Sequence, residues 1–98
     1  MATALTEAEI IERLAGLNRW ERDGDLLIKT FQFDSYLAGV AFASSVGVIA
    51  EGLNHHPDMT IGWRKVTVSF TTHDVGSKLT AKDFAAAAAI DALGYPQA

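Results

Sequence analysis

From Ser35 to Ala50 the chain carries no charged residue, and nothing else in the sequence restricts its fold as strongly. The run contains serines and glycines and falls short of the ~20 residues that cross a bilayer, so it reads as a buried helix. Its spacing agrees: Phe42, Val46, Ile49 and Leu53 recur along one helical face, and Asp34 or Ser35 is placed to cap the start. A second stripe, Leu37, Ala41, Ser44 and Val48, is also apolar or small. One small sheet cannot cover both stripes, so another subunit is the expected cover of the second, with Gly39 and Gly47 permitting close approach. At 98 residues, 49% of them hydrophobic, the chain has material for one core and not for two. The expectation is a single domain over 1–98, of a size that gains from association.

The remaining elements follow from local signals. Thr6 and Glu9 form a capping-box pattern, with Leu5 and Ile10 as a hydrophobic staple, so a helix should begin at Glu7. Ile10, Leu14 and Leu17 continue its stripe, and Gly16 and Asn18 offer places to stop. Trp20 opens a short strand, and Asp23-Gly24 signals a hairpin before a second strand from Leu26 to Phe33. In that strand Leu27, Phe31 and Phe33 share a face with Lys29, whose stem is expected to lie along the sheet while its ammonium stays in water. From Val66 onward, Val66, Val68, Phe70 and Thr72 alternate with Thr67, Ser69, Thr71 and His73, the period of a half-buried strand. Ile61 and Trp63 fall in the opposite phase, which implies a bulge, a bend or a break near Arg64-Lys65; a break would yield a fourth strand. Asp74 to Lys78 is a loop, Thr80 with Asp83 repeats the capping-box pattern, and the last helix holds Ala85 to Ala89, with Phe84, Ile90 and Leu93 as its larger apolar residues. This order implies an α+β fold, an antiparallel sheet covered on one side by helices.

Charge and composition exclude several classes of function. A net charge of -4 argues against a nucleic-acid binder that works by neutralising phosphates. The absence of cysteine removes disulfides, thiolate metal sites and cysteine nucleophiles. Met1 to Ile10 has two glutamates and no basic residue, unlike a secretory or organellar signal, which makes the cytoplasm the expected location and no membrane the expected setting.

All three histidines lie between Glu51 and Asp74. His55 and His56 are adjacent, and adjacent side chains cannot share a face of regular structure. Pro57 pushes the residue before it out of the helical region, so the pair is expected where a helix stops. By phase, His73 belongs to the polar face of its strand. Glu51 lies one helical turn before His55 and is placed to contact it. Imidazoles suit proton exchange at neutral pH, since an ordinary value near 6.5 leaves both protonation states populated. Three imidazoles plus water can also hold a catalytic zinc, although adjacent ligands are awkward in geometry.

The string E-x-x-x-H-H-P over Glu51–Pro57, then Trp63-Arg64-Lys65-Val66 leading to Thr71-Thr72-His73, then Leu79-Thr80-Ala81-Lys82-Asp83, resembles the pterin-4a-carbinolamine dehydratase family. The likeness runs, more weakly, from the first helix to Ile90-Asp91. Asn54 stands where the family commonly has an acidic residue and Met59 where it has an aromatic. The resemblance implies a four-stranded antiparallel sheet with three helices packed on one face, and dimers or tetramers formed through sheet edges and helices. It implies a hydro-lyase that removes water from a 4a-hydroxytetrahydropterin to give the quinonoid dihydropterin, in recycling the cofactor of aromatic amino-acid hydroxylases. No cofactor and no metal are implied, and a hydroxylase is a partner in the same pathway. Carried over by position, His55, His56 and His73 are the catalytic residues, with His73 as the base at the ring nitrogen and His55 or His56 as the acid at the hydroxyl. Glu51, Pro57, Asp58, Thr71, Thr72 and Asp74 are expected to bind substrate. Glu51 and Asp58 are the candidates for orienting imidazoles, and Asp83 is expected to cap its helix. The rival functions are a three-histidine metal-dependent hydrolase and a binding module: animal members also act as a dimerisation cofactor for a homeodomain transcription factor, and divergent relatives act as assembly factors. The intact histidine motif favours the enzyme.

Overall fold

Each change of direction in the chain follows from a local signal in the sequence. In a computed structural model describing residues 2–96, helix α1 spans Glu7–Ala15, with Thr6 as its N-cap and a complete Thr6–Glu9 capping box. Strands β1 (Glu21–Asp23) and β2 (Leu26–Gln32) form a hairpin whose two-residue loop is Gly24-Asp25, with Gly24 at φ 59°. Helix α2 (Tyr36–Leu53) starts at Ser35, whose hydroxyl accepts from the Ala38 amide. Strands β3 (Asp58–Gly62) and β4 (Lys65–Phe70) form a second hairpin, and a 3-10 turn over His73–Val75 leads to helix α3 (Ala81–Asp91). The phase change near Arg64 is therefore a break: Trp63-Arg64 is a tight turn, with Arg64 at φ 57°, and the break supplies the fourth strand.

Among the described residues these elements make an α+β fold, one antiparallel sheet of four strands in the order β1-β2-β4-β3 with three helices. The register sets Leu27 opposite Phe70, Lys29 opposite Val68 and Phe31 opposite Val66, so these six residues share the face that meets the helices. The core lies between this face and the buried sides of α2 and α3. Phe31, Phe33 and Phe42 form one aromatic group within it, with ring centroids 4.5 and 5.2 Å apart along the chain of contacts. Gly39 lets α2 approach closely, since a Cβ there would stand 3.4 Å from both the Phe33 ring and a Val66 methyl. A side chain at Gly47 would meet nothing. In α3 the small Ala86 and Ala87 are buried, so this helix packs closely where the alanine run permits it.

Helix α2 is buried on one side, through Gly39, Phe42, Ala43, Val46 and Ala50, while Leu37 and Val48 on its second stripe, whose expected cover is another subunit, are 74% and 72% exposed in the single chain. By length and composition alone this helix could cross a membrane, but one face is packed on the sheet. Leu53 and Leu93 are 48% and 41% exposed instead of buried, because Leu53 ends α2 and Leu93 lies beyond the end of α3. The Lys29 ammonium is not left in water. It donates to the Asn18 carbonyl at 2.7 Å and to Asp91 Oδ1 at 3.1 Å, because Asp91 and the α1–β1 connection close over that end of the sheet.

Candidate active site

The two ends of the β3–β4 hairpin bring the histidines together. Asp58, at the start of β3, lies opposite Ser69 near the end of β4. The residues just before β3 and just after β4 therefore meet at the same end of the sheet, and these are His55-His56 and Thr71–His73. A cleft of about 280 Å3 there is lined by Asn54, His55, His56, Thr71, Thr72, His73, Asp74 and Lys82.

Asn54 sets the angle at which the chain enters the site. It closes α2 in the left-handed region, at φ 53°, and its amide donates to the Glu51 carbonyl while the His55 amide donates to Ala50 at 3.1 Å. This pair of bonds is a Schellman ending, and asparagine is among the few non-glycine residues that enter that region readily. The conformation accounts for asparagine at a position where an acidic residue is common in the resembled family. It turns the following histidines off the helix axis and onto the sheet.

His55 is the inner histidine, with its side chain 11% exposed. Its Nε2 lies 2.6 Å from Oδ1 of Asp83, a carboxylate with no solvent exposure, and its ring stacks on Phe70 at 5.7 Å. Asp83 is further held by the Thr80 amide and the Thr72 hydroxyl, each donating to Oδ2 at 2.8 Å. With its proton given to Asp83, Thr72 Oγ1 accepts from the Thr80 hydroxyl at 2.8 Å. Asp83 thus caps α3, as its spacing from Thr80 predicts, and fixes the His55 ring as well. A carboxylate facing Nε2 favours the neutral tautomer that carries its proton on that nitrogen, with Nδ1 as the acceptor.

The other two imidazoles are more open. His56 Nε2 lies 2.7 Å from Glu51 Oε1, with the two side chains 56% and 80% exposed. The expected Glu51–His55 contact is therefore replaced: the Schellman ending carries His55 toward α3 and leaves His56 beside Glu51. His73 is not on the polar face of a strand. The alternation stops at Phe70, Thr71 and Thr72 are both buried, and His73 opens the 3-10 turn with its Nδ1 3.3 Å from the Ser77 hydroxyl. The cause lies in Thr72, whose backbone pairs with Lys78 and draws the chain out of the sheet.

Of the residues expected to bind substrate, Thr71, Thr72 and Asp74 line the cleft, whereas Glu51, Pro57 and Asp58 do not. Asp58 lies exposed on the edge strand β3 and bonds to no imidazole among the described residues. Lys82 joins the lining without having been expected there, and Asp83 was expected only as a cap. Its second role had no local signal in the sequence, since His55 lies 28 positions away. Thr71 Oγ1 is buried and has no hydrogen-bond partner among the described residues.

Fold and cleft together define a small α+β protein with acid-base side chains gathered at one end of an antiparallel sheet. More narrowly, the chain belongs to the Pterin 4 alpha carbinolamine dehydratase family, whose sequence profile matches residues 3–93. It is 52% identical over 93 residues to a Roseiflexus sp. (strain RS-1) protein provisionally named a pterin-4-alpha-carbinolamine dehydratase, covering 95% of this chain and 99% of that one. The crystal structure of a transcriptional coactivator/pterin dehydratase from Brucella melitensis superposes with a TM-score of 0.86 at 27% identity, covering 93% of this chain and 98% of that one. A pterin dehydratase-like protein described as a RuBisCO assembly factor in the alpha-carboxysome superposes with a TM-score of 0.65, also at 27% identity, over 80% of this chain and 92% of that one. The family supports dehydratase activity as the general class.

Proposed function

We propose that this chain, as one domain over 1–98, removes water from a 4a-hydroxytetrahydropterin by histidine acid-base catalysis without a metal. The observation that carries the reading is the gathering of His55, His56 and His73 on one small cleft, with the His55 ring held by the buried carboxylate of Asp83. In the reaction the bond from C4a to the hydroxyl oxygen breaks, a ring nitrogen gives up its proton, and a C=N bond forms as water departs. His73 takes the nitrogen's proton, and His55 or His56 gives one to the hydroxyl. Rings carried on the two strands at the open end of one hairpin can serve two atoms of one substrate, which is what the paired transfers require. Thr71, Thr72 and Asp74 bind the pterin, and the buried Thr71 hydroxyl gains a partner from it. The product re-enters the cofactor cycle of an aromatic amino-acid hydroxylase in the cytoplasm.

The exposed stripe of α2, with Met59 and Ile61 on the edge strand β3 and Trp63 in its turn, supports association of copies into dimers or tetramers. The same apolar surface, with the likeness to an assembly factor, supports the second reading, a protein-binding cofactor. As for a three-histidine metal site, no group of three His, Asp or Glu residues is placed to hold an ion among the described residues.

The test is the rate of water loss from enzymically generated 4a-hydroxytetrahydropterin, followed by ultraviolet absorbance, with metal content measured on the same sample. The native chain should accelerate the reaction, and His73→Ala should lose on the order of 10²-fold or more of that acceleration while remaining folded. No acceleration by the native chain would remove the enzymic reading, and a stoichiometric metal would remove the metal-free one.

A further inference from the structure

A second cavity among the described residues is larger than the histidine cleft. A space of about 470 Å3 opens between β2, the α1–β1 connection and the end of α3, within the range of small-molecule sites. Its lining includes Arg19, Lys29, Phe31, Ile90, Asp91 and Tyr95. Three observations define what it would accept. First, the Lys29 side chain is only 10% exposed, and its ammonium makes two of its three possible hydrogen bonds within the chain, to Asn18 and Asp91. Asp91 is already engaged, its two oxygens sharing the Trp20 indole N–H at 3.1 and 3.0 Å and Oδ1 also receiving Lys29.

Second, Arg19 stands in the left-handed region at φ 64°, unusual for a long side chain, and its guanidinium makes no hydrogen bond or ion pair among the described residues. Among the described residues, the side chains lining this cavity are two cations and one carboxylate, a formal charge of +1, in a protein whose net charge is -4. Third, Phe31, Ile90 and Tyr95 give it apolar and aromatic walls. A net positive charge at one side and apolar, partly aromatic walls at the other suit a small aromatic anion.

We propose that this cavity is a second ligand site, separate from the histidine cleft, which takes a small aromatic carboxylate. The carboxylate accepts from the unused Lys29 donor and from Arg19, and the ring lies among Phe31, Ile90 and Tyr95. Nothing in the dehydration chemistry uses these groups.

The Trp20 indole N–H provides the readout, because it is bonded to the carboxylate that holds Lys29. Benzoate is titrated into the ¹⁵N-labelled full chain at constant low salt, and the two tryptophan indole signals are followed. The expected result is a saturable shift of the Trp20 signal while Trp63, 72% exposed and in the β3–β4 turn, stays fixed. Arg19→Gln should weaken the apparent affinity about tenfold, the equivalent of one charge-assisted hydrogen bond. Benzamide, of the same shape without the charge, should bind at least as weakly. Lack of saturation, equal shifts from benzamide, or unchanged affinity in a folded Arg19→Gln variant would each overturn the proposal. So would a Trp20 signal that moves with protein concentration instead of with benzoate, which would show the cavity filled by a second copy.

Discussion

Helix α3 carries a carboxylate at each end, and the two are held in opposite ways. Asp83, in the first turn, is fully buried and receives a backbone amide, a threonine hydroxyl and an imidazole. The positive end of the helix dipole favours an anion there, so neutral donors and an imidazole complete its shell. Asp91, in the last turn, faces the negative end of the same dipole, and it is held by the Lys29 ammonium together with the Trp20 indole N–H. Where the backbone helps, the partner can be a group that exchanges protons; where the backbone opposes, a permanent cation is used. On the proposed function, the first end of the helix positions a reacting imidazole, while the last end closes one end of the sheet.

The sharpest test of that division is Asp83→Ala. It strands an imidazole, a hydroxyl and an amide in a buried site, and the expected loss of stability is about 3–5 kcal/mol. Asp83→Asn should keep more of the fold and still lower the dehydration rate on the order of 10²-fold, because an amide no longer fixes which ring nitrogen of His55 carries the proton. If Asp83→Asn left the rate unchanged, the two carboxylates would be alike in role. Asp91→Ala should cost about 1–3 kcal/mol in urea unfolding with no change in rate beyond that due to the unfolded fraction. The double change Lys29→Met with Asp91→Leu should recover most of that loss, since a buried ion pair replaced by apolar groups of similar volume is often neutral or better.

Smaller effects mark the limits of the comparison. Glu51→Gln removes an exposed partner of His56, and stability should move by less than about 0.5 kcal/mol. A fall in rate as large as that of Asp83→Asn would make His56 the ring whose orientation matters. The smallest effect belongs to α1, in acid. Bonds from the Thr6 amide and then its hydroxyl hold the Glu9 carboxyl below its ordinary value of 4.5, and the Arg22 guanidinium does the same for Glu7. Groups lowered in this way add stability above the ordinary value, and it is lost as the pH falls through the lowered one. The protection of α1 amides against exchange, relative to their intrinsic rates at each pH, should therefore begin to fall below about pH 4.5.

Local features of the fold were legible in the sequence because their causes are local. Both capping boxes, the Gly24 hairpin and the break at Arg64 follow from residues within a few positions of one another. The cleft was legible as a set of histidines but not as a geometry. Alternation extrapolated past Phe70 misplaced His73, because the pairing of Thr72 with Lys78 is a tertiary event that no period records. Lys29 was expected in water because its partner lies 62 positions away. Glu51 was matched to the wrong imidazole because helical spacing was carried through a left-handed residue. Asp83 was seen as a cap and missed as the partner of His55, 28 positions distant, for the same reason as Lys29.

The hairpin that joins the histidines also sets an order of events in time. His55, His56 and His73 are linked by the β3–β4 turn, a contact of short range along the chain that closes on the timescale of hairpins, about 1–10 μs. Asp83 arrives only when α3 docks. Folding should thus pass through a chain whose imidazoles are already neighbours but whose rings are not yet fixed. Kinetic analysis is expected to give Val68→Ala a large effect on the folding rate and Ala87→Gly a larger effect on unfolding. In this protein the reactive groups would be gathered before the element that orients them is in place.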